Sequence, residues 1–239
     1  MASNNLRIVT NNAVTLVGGV STAKSLNDYK SQYDTGTSFT ITTTALTGPI
    51  AIVAMLTEEV GSVTMTVTGQ SAVTESTTSV FSGQTVGFGG GKYIAKYFTP
   101  AAGTTSFIVT FSASVKVSRF IIGNYWVPKY NTGYGVQVGY ADASTTERLQ
   151  GGDLYTTAAP RNKTLQFDLQ YLDESDKFQL FDIIRSLGKI KPVFASVFPD
   201  DTDKQKEQMY SIYGKFNSLS NISYAMYSMY SSSVQLEEI

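Results

Sequence analysis

The chain has 239 residues, with 18 basic and 19 acidic side chains for a formal net charge of -1, and it contains neither cysteine nor histidine. A near-neutral balance lacks the concentrated excess of Lys and Arg that non-specific nucleic-acid binding needs, so no nucleic-acid partner is expected. Without thiols or imidazoles there can be no disulfides, thiolate nucleophiles, Ser-His-Asp triads or Cys- or His-ligated metal centres; no pattern points to catalytic residues, cofactors or metal ligands of another kind.

The first residues lack the basic patch and apolar core of a secretory signal, so export by that route is not expected. The longest charge-free stretch, residues 35–57, holds only the short apolar run 50–56. That is far below the roughly 20 apolar residues of a bilayer span, and no membrane insertion is expected.

From Leu6 to Ile122, short β-branched runs separated by Gly, Asn, Ser and Thr predict an all-β sandwich of about seven or eight strands. Residues 39–42 alternate apolar and hydroxyl side chains, 50–56 read as a strand buried on both faces, and 63–68 alternate again. Strands at 93–98 and 107–111 follow, with Pro100 and Gly103 in the turn between them. The glycine-rich run 87–91 reads as a loop between strands: it lacks the Lys-Ser/Thr ending of a P-loop and no amphipathic helix follows it.

Val115, Val117, Phe120 and Ile122 form an apolar strand with one break in its alternation. A Gly/Tyr-rich connector, residues 125–150, follows, and it carries Trp126, the only tryptophan. It divides a Thr/Ser/Val/Gly-rich half, residues 1–124, from a more charged half, residues 151–239, and predicts two domains. Tyr125, Trp126 and Tyr134 are the candidate glycan contacts. Asp142 with Glu147 is the carboxylate pair that a glycan-cleaving enzyme would use.

Residues 173–187 form the clearest amphipathic helix, with Asp173 as N-cap, Asp176 at the capping-box position and Gly188 as a C-terminal αL cap. Phe178, Phe181, Ile184 and Leu187 are expected on its buried face, widened by Leu180 and Ile183. On that reading, truncating Phe178 or Phe181 to alanine costs about 3 to 5 kcal/mol. Strands at 164–171 and 192–198 flank the helix, and 209–216 and 231–236 supply two more, which together predict an antiparallel β domain carrying one helix. Asp200, Asp201 and Asp203 lie in a polar turn without the spacing of an EF-hand loop. Tyr224, Tyr227 and Tyr230, with Met226 and Met229 between them, are the candidate subunit interface. The sequons at Asn162 and Asn221 carry no expectation in a chain without a signal peptide.

Two resemblances add to this reading. Ser-Leu-Asn-Asp at 25–28 and the Thr/Ser-rich strand after it, the 50–56 strand, 63–67, Tyr-Phe-Thr-Pro at 97–100, 107–111, and Ser-Arg-Phe-Ile-Ile-Gly at 118–123 before Tyr-Trp-Val-Pro resemble a discoidin-like, galactose-binding-type jelly roll. That fold occurs at the front of some phage tail proteins, and the likeness covers most of residues 20–128. No ligand residue of the fold matches a position here, so sugar binding is not carried over from it; the jelly-roll pattern and Tyr125, Trp126 and Tyr134 motivate the alternative function, a carbohydrate-binding adhesin recognising host-surface glycans.

The second resemblance covers most of residues 115–239. Gly-Tyr-Ala-Asp at 139–142, Arg-Leu-Gln-Gly-Gly-Asp at 148–153, the 161–172 strand, the helix ending at Gly188, Lys-Pro-Val-Phe at 191–194 and Tyr-Gly-Lys-Phe at 213–216 look like the minor tail or distal tail proteins of tailed bacteriophages and prophages. This implies a non-enzymatic virion protein of the tail tip or baseplate. Its partners would be further copies of itself in a ring, and the tube, hub and fibre proteins of the tail.

Overall fold

The computed structural model describes residues 5–10, 14–17, 32–44, 46–57, 61–70, 72–76, 92–159, 161–218 and 221–239. The glycine-rich run 87–91 and the segment 25–28 lie outside the described residues. The chain is mainly β, as its patterning predicts: among the described residues there are sixteen strands and two helices, with fourteen strands joined in one antiparallel sheet.

The N-terminal part is organised by β8 (Ser106–Trp126), a single strand where the sequence suggests two. Its first half pairs with β3 (Asp34–Thr43) and β5 (Ser62–Val67), and its second half with β4 (Ile50–Leu56). Outside these lie β2 (Val14–Val17) on β3, β6 (Val73–Ser76) on β5 and β7 (Lys92–Phe98) on β4. The break in alternation after Val117 is a bulge: Val117 faces Leu56, Arg119 faces Met55, and Ser118 between them donates its hydroxyl to the Met55 carbonyl at 3.2 Å. The extra residue returns Phe120 and Ile122 to the face that holds Val115 and Val117.

Period two explains why β4 is buried throughout. Ile50, Ile52, Ala54 and Leu56 enter the N-terminal core with Phe39 and Phe120, while Ala51, Val53 and Met55 face the other way, onto Phe194 and Tyr213 of the C-terminal half. The halves therefore share an apolar seam. Backbone pairing crosses between them as well: β1 (Arg7–Thr10) pairs with the end of β8 on one side and with β13 (Val193–Ser196) on the other.

The C-terminal sheet continues through β14 (Ser211–Phe216), β16 (Met229–Glu238), β12 (Arg161–Leu172) and β9 (Gln137–Asp142), with β15 (Ile222–Met226) paired to β16. The 125–150 connector is thus more than a packed loop, because β9 and β10 (Thr145–Arg148) lie in it. The β10 strand and β11 (Leu154–Thr157) form a separate two-stranded hairpin.

Helix α1 (Glu174–Leu187) starts where predicted, with the Asp173 carboxylate accepting the Asp176 amide at 2.9 Å. That bond holds the Asp173 carboxyl below its usual range. Two expectations about this helix fail. The Asp176 carboxylate does not reach back to the cap as in a capping box; it accepts the Trp126 indole N–H at 3.3 Å and the Lys129 amide at 2.9 Å. Gly188 has φ 53 and ψ -146, outside the αL region, though its N–H still closes on the Ile184 carbonyl at 2.8 Å.

The buried face of α1 also differs from the expected one. Leu180, Ile184 and Leu187 pack onto Leu165, Phe167 and Leu169 of β12, whereas Phe178 and Phe181 are 57% and 54% exposed. Apolar residues occur around most of this helix, and the sheet selects the stripe i, i+4, i+7 that begins at Leu180. Phe178→Ala and Phe181→Ala should each cost less than about 1 kcal/mol, since neither truncation opens a core cavity. Urea denaturation showing a loss above about 2 kcal/mol would place these rings in the core after all.

A second helix, α2 (Lys204–Met209), which the sequence reading did not anticipate, lies between the polar turn and the expected strand, capped by the Asp203 carboxylate. The acidic trio is engaged in structure. Asp200 pairs with Arg7 at 2.5 Å, and Asp201 accepts the Asp203 amide at 3.0 Å and pairs with Lys206 at 3.0 Å, contacts that hold Asp201 below the usual carboxylate range. No helix among the described residues is long and apolar enough to cross a membrane.

Candidate functional site

Exposed aromatic side chains gather where α1 passes the β15–β16 hairpin. Tyr224 faces Tyr230 across the hairpin, with ring centroids 5.2 Å apart, and Ile222 packs beside them. On the helix side, Phe178, Phe181 and Ile184 complete a groove of about 460 Å³. Lys177 crosses it, its ammonium 4.1 Å from the Tyr230 ring centroid and 4.4 Å from that of Phe178. Its contact with the Tyr230 side chain raises the Lys177 pKa above the ordinary value. Tyr227, 89% exposed, stands at the hairpin turn, and Met229 is half-buried. The Met226 side chain lies outside the described residues.

Two of the five candidate interface residues, Tyr224 and Tyr230, thus line one groove together with Lys177, Phe178 and Phe181, while Tyr227 stands exposed at the hairpin turn. Sequence reasoning assigned the two phenylalanines to the core and overlooked the lysine. The signal available was the surplus of apolar residues on α1, more than one face can bury.

The candidate glycan residues do not come together. Trp126 is only 7% exposed and is packed in the C-terminal core. Tyr125 is half-buried, stacked edge-on against Tyr97 at 5.4 Å with the Arg7 guanidinium over both rings. Tyr134 is fully exposed. The buried indole depends on Asp176, so Asp176→Ala should leave two donors unpaired and cost about 2 kcal/mol. Because Trp126 is the only tryptophan, its fluorescence reads the change directly: a red shift is expected, and an unmoved emission maximum would mean that the carboxylate does not hold the ring.

A second concavity, about 530 Å³, is polar and lies on the outer face of β12, β15 and β16. Period two along β12 sends Leu165, Phe167 and Leu169 inward and Gln166, Asp168 and Gln170 into this cleft, where they meet Asn221, Ser232 and Gln235. The buried Ser232 hydroxyl, opposite Leu169, has no hydrogen-bond partner among the described residues.

Asp142 and Glu147 do not form an evident acid-base pair. Hydrogen bonds from Ser144, then Arg161 at 3.0 Å, hold Asp142 down at about 2, while Glu147 sits exposed on the β10–β11 hairpin. Among the described residues, no group of three or more His, Cys, Asp or Glu is placed to hold a metal ion.

Beside the apolar seam where the two halves meet lies a buried polar cluster. The Lys163 ammonium donates to the Gln208 and Ser211 carbonyls at 2.9 and 2.8 Å. The Glu238 carboxylate accepts the Tyr93 hydroxyl at 3.2 Å and the Lys163 amide at 3.3 Å. Tyr93 in turn accepts the Tyr213 amide at 3.1 Å, and the Gln208 side chain pairs with both the N–H and the carbonyl of Tyr93. Burial lowers the Lys163 pKa to about 8. Their geometry is that of a fastening between elements of the fold.

Comparison with protein-family models, with curated proteins and with solved structures finds no match.

Proposed function

We propose that the chain is a structural virion protein of a bacteriophage tail tip or baseplate, forming a homo-oligomeric ring that connects the tail tube to distal tail proteins or fibres. The supporting observation is the exposed aromatic surface of Phe178, Phe181 and Tyr224 around a groove. Contiguous apolar surface rimmed by polar groups marks interaction sites, and Tyr and Phe are enriched in interface cores. A mainly β chain with one packed helix agrees with the tail-protein resemblance of residues 115–239. Light scattering with negative-stain imaging tests the reading: closed rings are the expected species, broken up by Phe178→Ser with Tyr227→Ser. A chain that stays monomeric at high concentration and is absent from purified virions would overturn it.

A second reading, recognition of a host glycan, draws support from the polar cleft, whose amides, hydroxyls and Asp168 suit the hydroxyl groups of a sugar. Saccharide binding that is lost in Asp168→Ala and Gln170→Ala would establish it. Silence on a broad glycan array would remove it.

A further inference from the structure

We infer that the β10–β11 hairpin of one copy seats in the α1/β15–β16 groove of a second copy, making a head-to-tail contact that repeats around the assembly. This rests on the self-assembly reading above and identifies the two surfaces that meet. The hairpin is a separate two-stranded sheet, and every residue of its two strands is exposed, with Leu149 exposed beside the turn. An isolated hairpin of this kind is marginally stable in water and gains order by packing on another surface.

The register sorts the hairpin side chains into two faces. Glu147 lies opposite Tyr155 on one face and Arg148 opposite Leu154 on the other, because directly paired residues project to the same side. The first face therefore places a carboxylate beside an aromatic ring. The groove offers the matching set, the Lys177 ammonium among Phe178, Phe181 and Tyr230. Seating Tyr155 on the rings brings Glu147 toward Lys177, complementary in charge and in apolar character.

The chain cannot make this contact with itself. The hairpin follows Asp142, which pairs with Arg161 at one end of β12, whereas the groove adjoins Tyr230, which pairs with Leu172 at the other end. Over the residues of β12 between those ends, a strand rise of about 3.3 Å per residue separates the two by roughly 30 Å or more, while four-residue strands reach only about 14 Å. Two different surfaces at opposite ends of one chain give a heterologous contact, which propagates and closes into a ring when the rotation permits.

Because the chain has no cysteine, introduced thiols report the contact without background. One preparation carries Tyr155→Cys, a second Phe178→Cys, and they are mixed under mild oxidation. The expected product is the mixed disulfide dimer, with a covalent ladder when both substitutions sit in one chain. In parallel, Glu147→Lys should weaken association about tenfold and Lys177→Glu in the same chain should restore it, as for a charge pair across an interface. Rings by light scattering without the mixed disulfide, or Tyr155→Cys joining only to itself, would overturn the hairpin contact and leave the assembly reading standing. A monomer with no cross-link would overturn both.

Discussion

Gly214→Ala is expected to destabilise the protein by about 3 kcal/mol or more, a larger loss than any exposed substitution should produce. Gly214 sits in β14 between Val193 of β13 and Glu238 of β16. A Cβ there would overlap the Glu237 carbonyl oxygen and stand 2.7 Å from its carbon and 3.1 Å from the Glu238 nitrogen. All three atoms are backbone, so no side-chain rotation relieves the clash and the two strands must move apart. That movement would disturb the β16 register on which β15 and the aromatic surface depend, and displace Glu238 from Tyr93. For a chain of this size the loss corresponds to a fall of about 6 to 12 °C in melting temperature. Gly139→Ala is the control: its Cβ would meet only the Thr164 hydroxyl, at 3.2 Å, which can rotate away. Equal stability of the two variants in thermal and urea denaturation would show that β14 and β16 do not approach so closely.

Local pattern made some of this architecture legible. The continuous apolar run of β4 indicated burial on both faces, and the one broken alternation in β8 marked the bulge at Ser118. Asp173 announced the start of α1. What stayed hidden depends on contacts between distant residues. Arg7 faces Ser196 across a strand pair that no periodicity connects. The face of α1 that is buried is chosen by the shape of the sheet beneath it, which is why Phe178 and Phe181 were misassigned. Trp126 looked like a ligand platform because a large aromatic in a Gly/Tyr-rich segment fits either role, and only Asp176, on α1, identifies it as core. The β10–β11 hairpin did leave a signal, Gly151-Gly152 between two short runs, with Gly152 at φ 92 in the turn. The polar cluster left none, since Tyr93, Lys163, Gln208 and Glu238 come from four separate elements.

That cluster carries the second large effect, a rise in stability with pH on the alkaline side of neutrality. In the folded chain Lys163 is buried and its pKa lies at about 8, lowered by desolvation and partly raised again by Glu238. In the unfolded chain it returns to the ordinary lysine value, so between the two the unfolded state holds a proton that the folded state has released. Stability rises with pH wherever the unfolded state binds more protons. From pH 8 to 9.5 the gain should approach about 2 kcal/mol, at roughly 1.4 kcal/mol per pH unit. Tyr93 and Tyr97 act in the opposite sense at higher pH. Burial raises both of their pKa values, so above about pH 10 the unfolded tyrosines lose protons that the folded ones keep, and stability falls. The expected profile is a maximum between pH 9 and 10. Lys163→Met should flatten the rise and, at neutral pH, cost about 3 kcal/mol, because the Gln208 and Ser211 carbonyls lose their donor and the Glu238 carboxylate its nearby cation. Urea melts of both proteins at pH 7, 8 and 9.5 separate these terms. A parallel rise in the methionine variant would assign the pH dependence to other groups, and an unchanged stability at neutral pH would mean that the ammonium contributes no net fastening of β12 to α2 and β14.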